Sequence, residues 1–397
     1  MKSIRRFIII LAWLLTMPFI ASAQSDTIVS LITCAPGSDI YELEGHTALR
    51  IRSPRFDVAV SYGVFDFNSP NFVYRFVKGE TDYMCAAIPW QIFVEGYKAD
   101  GRRVVEQVLD LDSAQTRKLV ELVDNNLLPQ NRVYRYNYVK DNCATRPLSI
   151  IEQAMGDSIR LAPVDFDTRS YTASFRDVMR HYHRNYPWYQ FGIDLALGSG
   201  IDYPISNREY VFAPVLLEQQ MTEATAGGNK IVKGTEVIVG DDSWDCVDSA
   251  TPFFLTPMFV GWVVFALLLW ATVCDNRRGR VSRWIDATYF GVLGLAGLLI
   301  TYLVFISVHE ATSPNYLIIW LNPFCLIPTI FIWLKKCKIV VLSYQIINFA
   351  AVLILSLVWL WLPQSANAAF LPFVLGDMLR SASYIKLNFP KVANHGK

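Results

Sequence analysis

Hydrophobic and polar positions follow two different rules along this chain. Before position 250 they come in short, interrupted patterns; after it they merge into long apolar runs. Residues 28–33 are rich in β-formers, and residues 47–51 and 58–62 alternate apolar with polar, the period of a half-buried strand. Gly and Pro punctuate the intervals. Residues 103–110 read as a further strand. Ser113 then stands as an N-cap before Leu119, Val120, Leu122, Val123 and Leu127 at helical spacing. Residues 133–139 are strand-like, 141–146 open a second helix, 163–221 are irregular and aromatic, and 229–239 suggest a final strand pair. The pattern predicts an α+β domain built on a mainly antiparallel sheet.

The second half carries apolar runs at 252–273, 285–308, 316–334 and 339–362, each near the ~20 residues that cross a ~30 Å hydrocarbon core. A weaker fifth run, 368–379, contains Asp377 and either spans or lies in the interface. An all-α transmembrane bundle of four to five helices is expected. Arg277, Arg278, Arg280 and Arg283 follow the first run, Lys335, Lys336 and Lys338 the third, and Arg380, Lys386 and Lys391 the fifth. The alternate connections, 310–315 and 363–369, hold no Lys or Arg. The basic connections then face the cytoplasm, and the N-terminal half lies outside it.

The extreme N-terminus agrees. Lys2, Arg5 and Arg6 precede an apolar stretch at 7–20 and a small-x-small site ending at Ala23, the layout of a secretory signal peptide. The organisation expected is a signal peptide at 1–23, a periplasmic domain at 24–250, a transmembrane domain at 251–380 and a cytoplasmic tail at 381–397. A multi-pass protein of the inner (cytoplasmic) membrane is expected. Charged residues make up 18% of the chain, below the about 25% of soluble proteins, and the deficit sits in the apolar runs. A net charge of +1 with no basic aromatic stripe argues against a nucleic-acid partner.

Candidate chemistry centres on a thiol. Cys34, Cys85, Cys143 and Cys246 fall in the exported half, where cysteines tend to pair; Cys34 with Cys85 is one candidate bridge. Cys143 differs, because Asp141-Asn142-Cys143 stands between a strand and a helix. A cysteine at a helix N-terminus is expected to ionise more readily, and N–H groups there can hold an oxyanion. Of the five histidines, His46 is the best base, since Gly45-His46 starts a strand. Ser61, Tyr62 and Asp66 are open alternatives for orienting its ring. Asn142 and Asp141 are further candidates for orienting or oxyanion roles. His181 and His183 lack the carboxylate or cysteine cluster of a metal site, so neither metal nor cofactor is expected. The outer connection 309–315 places His309, Glu310 and Asn315 at membrane depth as candidate substrate contacts, or as a turn with helix caps.

Gly45-His46-Thr47-Ala48 followed by Asp141-Asn142-Cys143 resembles the circularly permuted papain-like thiol enzymes, the NlpC-type hydrolases and lecithin:retinol acyltransferase. Leu31-Ile32-Thr33-Cys34-Ala35-Pro36-Gly37, Tyr41-Glu42-Leu43-Glu44-Gly45-His46, Arg75-Phe76-Val77-Lys78-Gly79-Glu80-Thr81-Asp82-Tyr83 and Phe191-Gly192-Ile193-Asp194-Leu195-Ala196-Leu197-Gly198 are similar to the Lnb family of Bacteroidetes. Asp202-Tyr203-Pro204, Arg208-Glu209 and Phe212-Ala213-Pro214 continue the likeness. Ser61 departs from it, standing where Asn would precede Tyr62-Gly63. The resemblance implies a permuted papain-like periplasmic domain fused to a membrane domain. It also implies a lipoprotein N-acyltransferase that moves an acyl chain from a phospholipid through a Cys143 thioester to the N-terminal amine of a diacylglyceryl-cysteine lipoprotein, with His46 as base. Two other classes stay open at this point. One is an envelope thiol hydrolase acting on peptidoglycan or lipid. The other is a non-enzymatic scaffold binding through the aromatic segment around Trp188.

Overall fold

The computed structural model describes residues 27–156, 159–164, 166, 172–241 and 250–393. The expected signal peptide and Cys246 lie outside the described residues. The chain divides into two compact units. The first comprises the described residues of Met1–Phe76, Glu80–Tyr182 and Pro204–Asp248. The second comprises those of Val77–Gly79, His183–Tyr203 and Ser249–Lys397.

The first unit is an α+β domain. Its strands are β1 (Ile28–Cys34), β2 (His46–Arg52), β3 (Asp57–Val64), β4 (Asp82–Pro89), β5 (Val104–Leu109), β6 (Val133–Arg135) and β9 (Val232–Val239). They form one seven-stranded sheet in the order β6-β4-β3-β2-β1-β5-β9, and every pairing is antiparallel. A separate small hairpin joins β7 (Thr225–Ala226) and β8 (Asn229–Lys230). Helices α1 (Phe72–Lys78), α2 (Trp90–Ala99), α3 (Ser113–Leu127), α4 (Thr145–Met155) and α5 (Phe175–Tyr182) follow in chain order. Helix α3 starts one residue earlier than Ser113 as cap would place it, with Ser113 as its first residue. Asp112 is the cap, and it forms a capping box with Gln115.

Both faces of the sheet are covered, so its central strands are buried along most of their length, with Ser30, Thr33, Thr47 and Arg50 among the buried positions. On one face Leu31, Leu49, Ile51 and Val60 pack with Leu119 of α3 and Leu148 of α4. On the other, Ile32, Cys34, Ala48, Ala59 and Val104 pack with Phe93 of α2. This arrangement corrects the cysteine pairing. Cys34 and Cys85 are both free, and they belong to clusters on opposite faces, so the sheet keeps them apart.

Among the described residues, the second unit holds three helices long and apolar enough to cross a membrane: α8 (Pro257–Arg278), α9 (Arg283–Phe305) and the Lys335–Trp361 stretch built on α11 (Lys338–Val358). The run at 316–334 is not one continuous helix. It breaks into 3₁₀ turns at Tyr316–Ile319 and Pro323–Cys325 before the short α10 (Leu326–Phe331). Asn322 causes the break by capping Phe324 N–H, and Pro323 has no N–H to continue the ladder. A β-carbon at Gly297 of α9 would collide with the Asn322 backbone, so glycine there lets the broken segment lie close. The fifth run is longer than its hydropathy suggests. Helix α12 (Leu371–Ala393) continues through the residues expected as a tail. Its Asp377 accepts from Asn348 Nδ2 at 2.5 Å, and Arg380 binds Asp275 and Asp286. Residues 183–203, sited by sequence in the periplasmic stretch, group with this unit through α6 (Pro187–Ala196). There Phe191 packs edge-on against Phe370 and Phe373.

Candidate active site

The site is assembled at the start of β2. Gly45 has φ +86°, and a β-carbon there would come within 2.5 Å of Cys34 O. Only glycine makes that turn cheaply. The turn delivers His46 as the first residue of β2, in register with Cys34.

The thiol is held by the loop after β6. Backbone bonds in both directions between Asn137 and Asp141 close a tight turn, at 3.1 and 2.9 Å. Asp141 is gripped by Arg146 Nε and Nη2 at 2.5 and 2.7 Å, and the Arg146 guanidinium lies 3.5 Å from the Tyr134 ring centroid. Asn142 is buried and does most of the fastening. Its Nδ2 donates to Tyr138 O and Phe212 O, the latter just ahead of α7 (Pro214–Thr222). Its Oδ1 accepts from Ala144 N–H and Thr145 N–H, capping α4. Cys143 is thereby presented just before α4 begins.

Tyr136 OH donates to the Cys143 sulfur from 3.9 Å, and the Thr47 and Cys143 backbone amides lie by it and favour the thiolate. Glu44 links the two loops a second time by accepting from Tyr138 OH. The structure therefore brings the His46 strand and the Cys143 loop together, with Thr47 as the point of contact. Among the described residues no hydrogen bond joins the His46 ring to Cys143.

The electrostatics differ from the helix-dipole expectation. Burial pushes the Cys143 thiol up, with the Glu44 charge adding to it; the donors from Thr47, Tyr136 and its own N–H only offset part of this. The physical reason is local. Helix α4 starts at Thr145, and Asn142 already occupies the Ala144 and Thr145 N–H groups. Neither is left to favour a thiolate or to bind an oxyanion. Burial, followed by the Arg102 charge, lowers His46 from 6.5 to about 4. At neutral pH the resting pair is thus thiol and neutral imidazole. Arg102 itself is buried, bound to Ala35 O at 2.7–2.9 Å and to Glu42 at 2.8 Å.

The other sequence candidates have structural work. Tyr62 is buried in the core and its OH accepts from Asn126 Nδ2. Asp141 and Asn142 hold the loop as described. Ser61 is buried on β3, while Asp66 is exposed and caps Asn68 N–H. Sequence reasoning missed Tyr136 and Arg102. The first had a signal: Tyr134, Tyr136 and Tyr138 alternate along one strand-like stretch, and Gly63 (φ +84°) leaves room for the Tyr136 ring 2.8 Å from where a β-carbon would stand. Among the described residues no group of three His, Cys, Asp or Glu side chains is placed to hold a metal ion.

Two family models match the chain in order. Residues 16–182 match the Lnb N-terminal periplasmic domain, and residues 249–391 match the Lnb transmembrane domain. The chain belongs to the Lnb family. No curated protein and no solved structure matches it. The Lnb periplasmic match contains both His46 and Cys143, and neither match covers 183–248. In the Lnb transmembrane match, Asn315 is buried and fully engaged. It donates to Leu195 O and accepts from Leu317 N–H and Gln364 Nε2, a fastening role rather than an open contact. His309 is half-buried and Glu310 exposed, at a 3₁₀ turn over Glu310–Thr312.

Proposed function

We propose that this Lnb-family protein is a thiol-dependent lipoprotein N-acyltransferase of the inner membrane, with its N-terminal domain in the periplasm. The observation that supports this most is the sulfur of Cys143, which accepts from Tyr136 OH and lies by the backbone amide of Thr47, the residue next to His46. The second support is the membrane domain on the same chain. A phospholipid donor and a lipid-anchored acceptor both reside in the membrane. Tethering the thiol there turns two encounters in solution into two within one surface.

The reaction begins from thiol and neutral imidazole. As substrate binds, the imidazole closes on the thiol; catalytic hydrogen bonds are commonly long before that stage. His46 takes the proton while Sγ attacks the ester carbonyl of the phospholipid. The oxyanion that forms is met by the donors around the sulfur, chiefly Tyr136 OH and the Cys143 N–H. The carbon–oxygen bond breaks, His46 returns the proton to the departing lysophospholipid, and Cys143 carries the acyl group as a thioester. The α-amine of a diacylglyceryl-cysteine then attacks that thioester. His46 accepts a proton from the amine, the amide forms, and the thiol is regenerated. No cofactor enters the scheme.

The test is reconstitution. Full-length protein in phospholipid vesicles is given a diacylated lipopeptide with a free N-terminus, and products are read by mass spectrometry. A gain of one acyl chain on the amine, absent with Cys143→Ala, is expected. Free fatty acid or cleaved peptide without N-acylated product would identify a hydrolase and overturn the proposal.

A further inference from the structure

The first unit carries an exposed apolar patch that the chemistry above does not use. Ile40, Tyr41, Phe67, Val73, Tyr74 and Phe76 are between 49% and 72% exposed. They come from the loop before His46, the loop after β3, and α1. Isolated exposed apolar residues are ordinary. Here, however, Tyr41, Phe67 and Phe76 are joined through Phe72 by ring contacts of 5.1–6.0 Å, with Val73 and Tyr74 on the same short helix. Such a group marks an interaction surface. Helix α1 has no acidic residue and carries Arg75 and Lys78.

The patch is joined to the thiol by an unbroken series of rings. Tyr41 and Phe67 stand 5.7 Å apart, and Phe67 and Phe65 4.7 Å. Phe65 lies 5.3 Å from Tyr83, and Tyr83 stacks on Tyr136 at 4.5 Å and 22°. Tyr136 OH then reaches Cys143 Sγ at 3.9 Å. Phe65, Tyr83 and Tyr136 are each partly open to solvent, so an apolar ligand has ring surface to follow along the whole course. The covalent chain adds a further link. Val77–Gly79, immediately after Phe76, group with the unit that holds the apolar helices. There Lys78 O accepts from Val308 N–H at 2.9 Å and Ser307 Oγ at 3.2 Å.

We propose that this aromatic patch docks into the lipid surface and that the ring series guides a phospholipid acyl chain from the bilayer to Cys143. The inference rests on the thiol acyl-transfer reading and assigns its donor path. Aromatic side chains with flanking Arg and Lys are the composition that settles at the boundary of headgroup and acyl chain. A protein partner or a second copy of the chain would bury the same patch without needing rings that lead to a thiol.

The experiment uses the full chain in vesicles of phosphatidylethanolamine and phosphatidylglycerol. Acylation of Cys143 is followed by intact-protein mass with two donors. One is a long-chain phospholipid of the bilayer; the other is a dihexanoyl phospholipid supplied as monomers in water. In the Val73→Glu/Tyr74→Glu double variant, the ratio of long-chain to short-chain rate is expected to fall about tenfold or more. An unchanged ratio overturns the docking surface. Acylation of the unaltered protein by neither donor instead overturns the thiol reading. A nitroxide on Val73→Cys keeps the patch testable by itself and does not depend on the double variant folding. Its relaxation is expected to respond to oxygen and to be shielded from a water-soluble nickel chelate. Access to the chelate overturns docking, and so does shielding from both agents in a protein that sediments as a dimer.

Discussion

The backbone amide of Thr47 lies by the sulfur of Cys143 and works against the burial that pushes the thiol up, so the residue after the candidate base meets the candidate nucleophile. The Thr47 side chain plays no visible part. Its hydroxyl is buried without a partner. Thr47→Val therefore keeps the useful N–H and removes an unsatisfied hydroxyl, a change worth up to about 1 kcal/mol of stability. We expect a raised melting temperature with thioester formation nearly unchanged. A large loss of Cys143 acylation would show that the hydroxyl, not the backbone, matters.

The pH profile follows from His46. The base must be neutral to take a proton, and it is half-neutral at about 4 rather than its ordinary 6.5. The acid limb of Cys143 acylation should then lie near the lower value, with a flat rate around neutral pH. Burial is the larger cause and Arg102 the second. Arg102→Gln should move the limb upward, without reaching 6.5 because burial persists. The unfolded chain binds the extra proton more readily between these two values, so stability also declines as pH falls through that window. An acid limb already at 6.5 in the unaltered protein would contradict the buried, cation-flanked imidazole.

Much of this fold was legible in the chain. Alternation marked β2 and β3, and the apolar runs marked α8, α9 and α11, because period and length are local properties. Helix α1 was not legible: Phe72, Val73, Tyr74, Phe76 and Val77 are residues that strands favour, and tertiary context overrides that preference. The break at Asn322-Pro323 was visible as a polar interruption, but what accommodates it, the close approach to Gly297, is a contact between segments. His46 and Cys143 stood out by their neighbours in sequence. The thiol's protonation did not, since it depends on how Asn142 spends the helix N–H groups and on burial by distant strands.

Tyr136 is the donor best placed to follow charge from sulfur to oxyanion, because a side-chain hydroxyl can move while the backbone donors stay fixed. Tyr136→Phe keeps the stack on Tyr83 and loses only the hydroxyl. Removal of one such donor should slow thioester formation roughly tenfold to hundredfold. Binding of the donor lipid should change little, so the loss appears in kcat rather than KM. Equal kcat in the two proteins would assign the oxyanion to backbone groups alone.

Asn142 is predicted to act on stability before chemistry. Its amide makes four bonds of 2.7–3.0 Å to Tyr138, Phe212, Ala144 and Thr145. Asn142→Ala removes the α4 cap and strands two carbonyl oxygens, at a cost of about 2–4 kcal/mol. Asn142→Asp keeps the cap acceptor but turns a carboxylate oxygen on the Tyr138 and Phe212 carbonyls, so it should rescue little. Chemical denaturation of the two variants distinguishes this from an oxyanion role. A variant with unaltered stability and lost acylation would restore Asn142 to the reacting atoms.

In the membrane unit the corresponding keystone is Arg380. It is fully buried, and its guanidinium bonds Asp286 at 2.6 Å, Asp275 at 2.8 Å and Thr272 at 2.8 Å, tying α12 to α8 and α9. Two carboxylates depend on one cation. Arg380→Met leaves both buried without a counter-charge, and breaking such a pair from one side costs about 3–5 kcal/mol. Replacing all three charges is a different change, since no buried ion is then stranded. Arg380→Met with Asp275→Asn and Asp286→Asn should recover most of the stability lost by Arg380→Met alone. Thermal unfolding in detergent compares the two variants, and equal melting temperatures would mean that Arg380 contributes by packing its stem rather than by its charge.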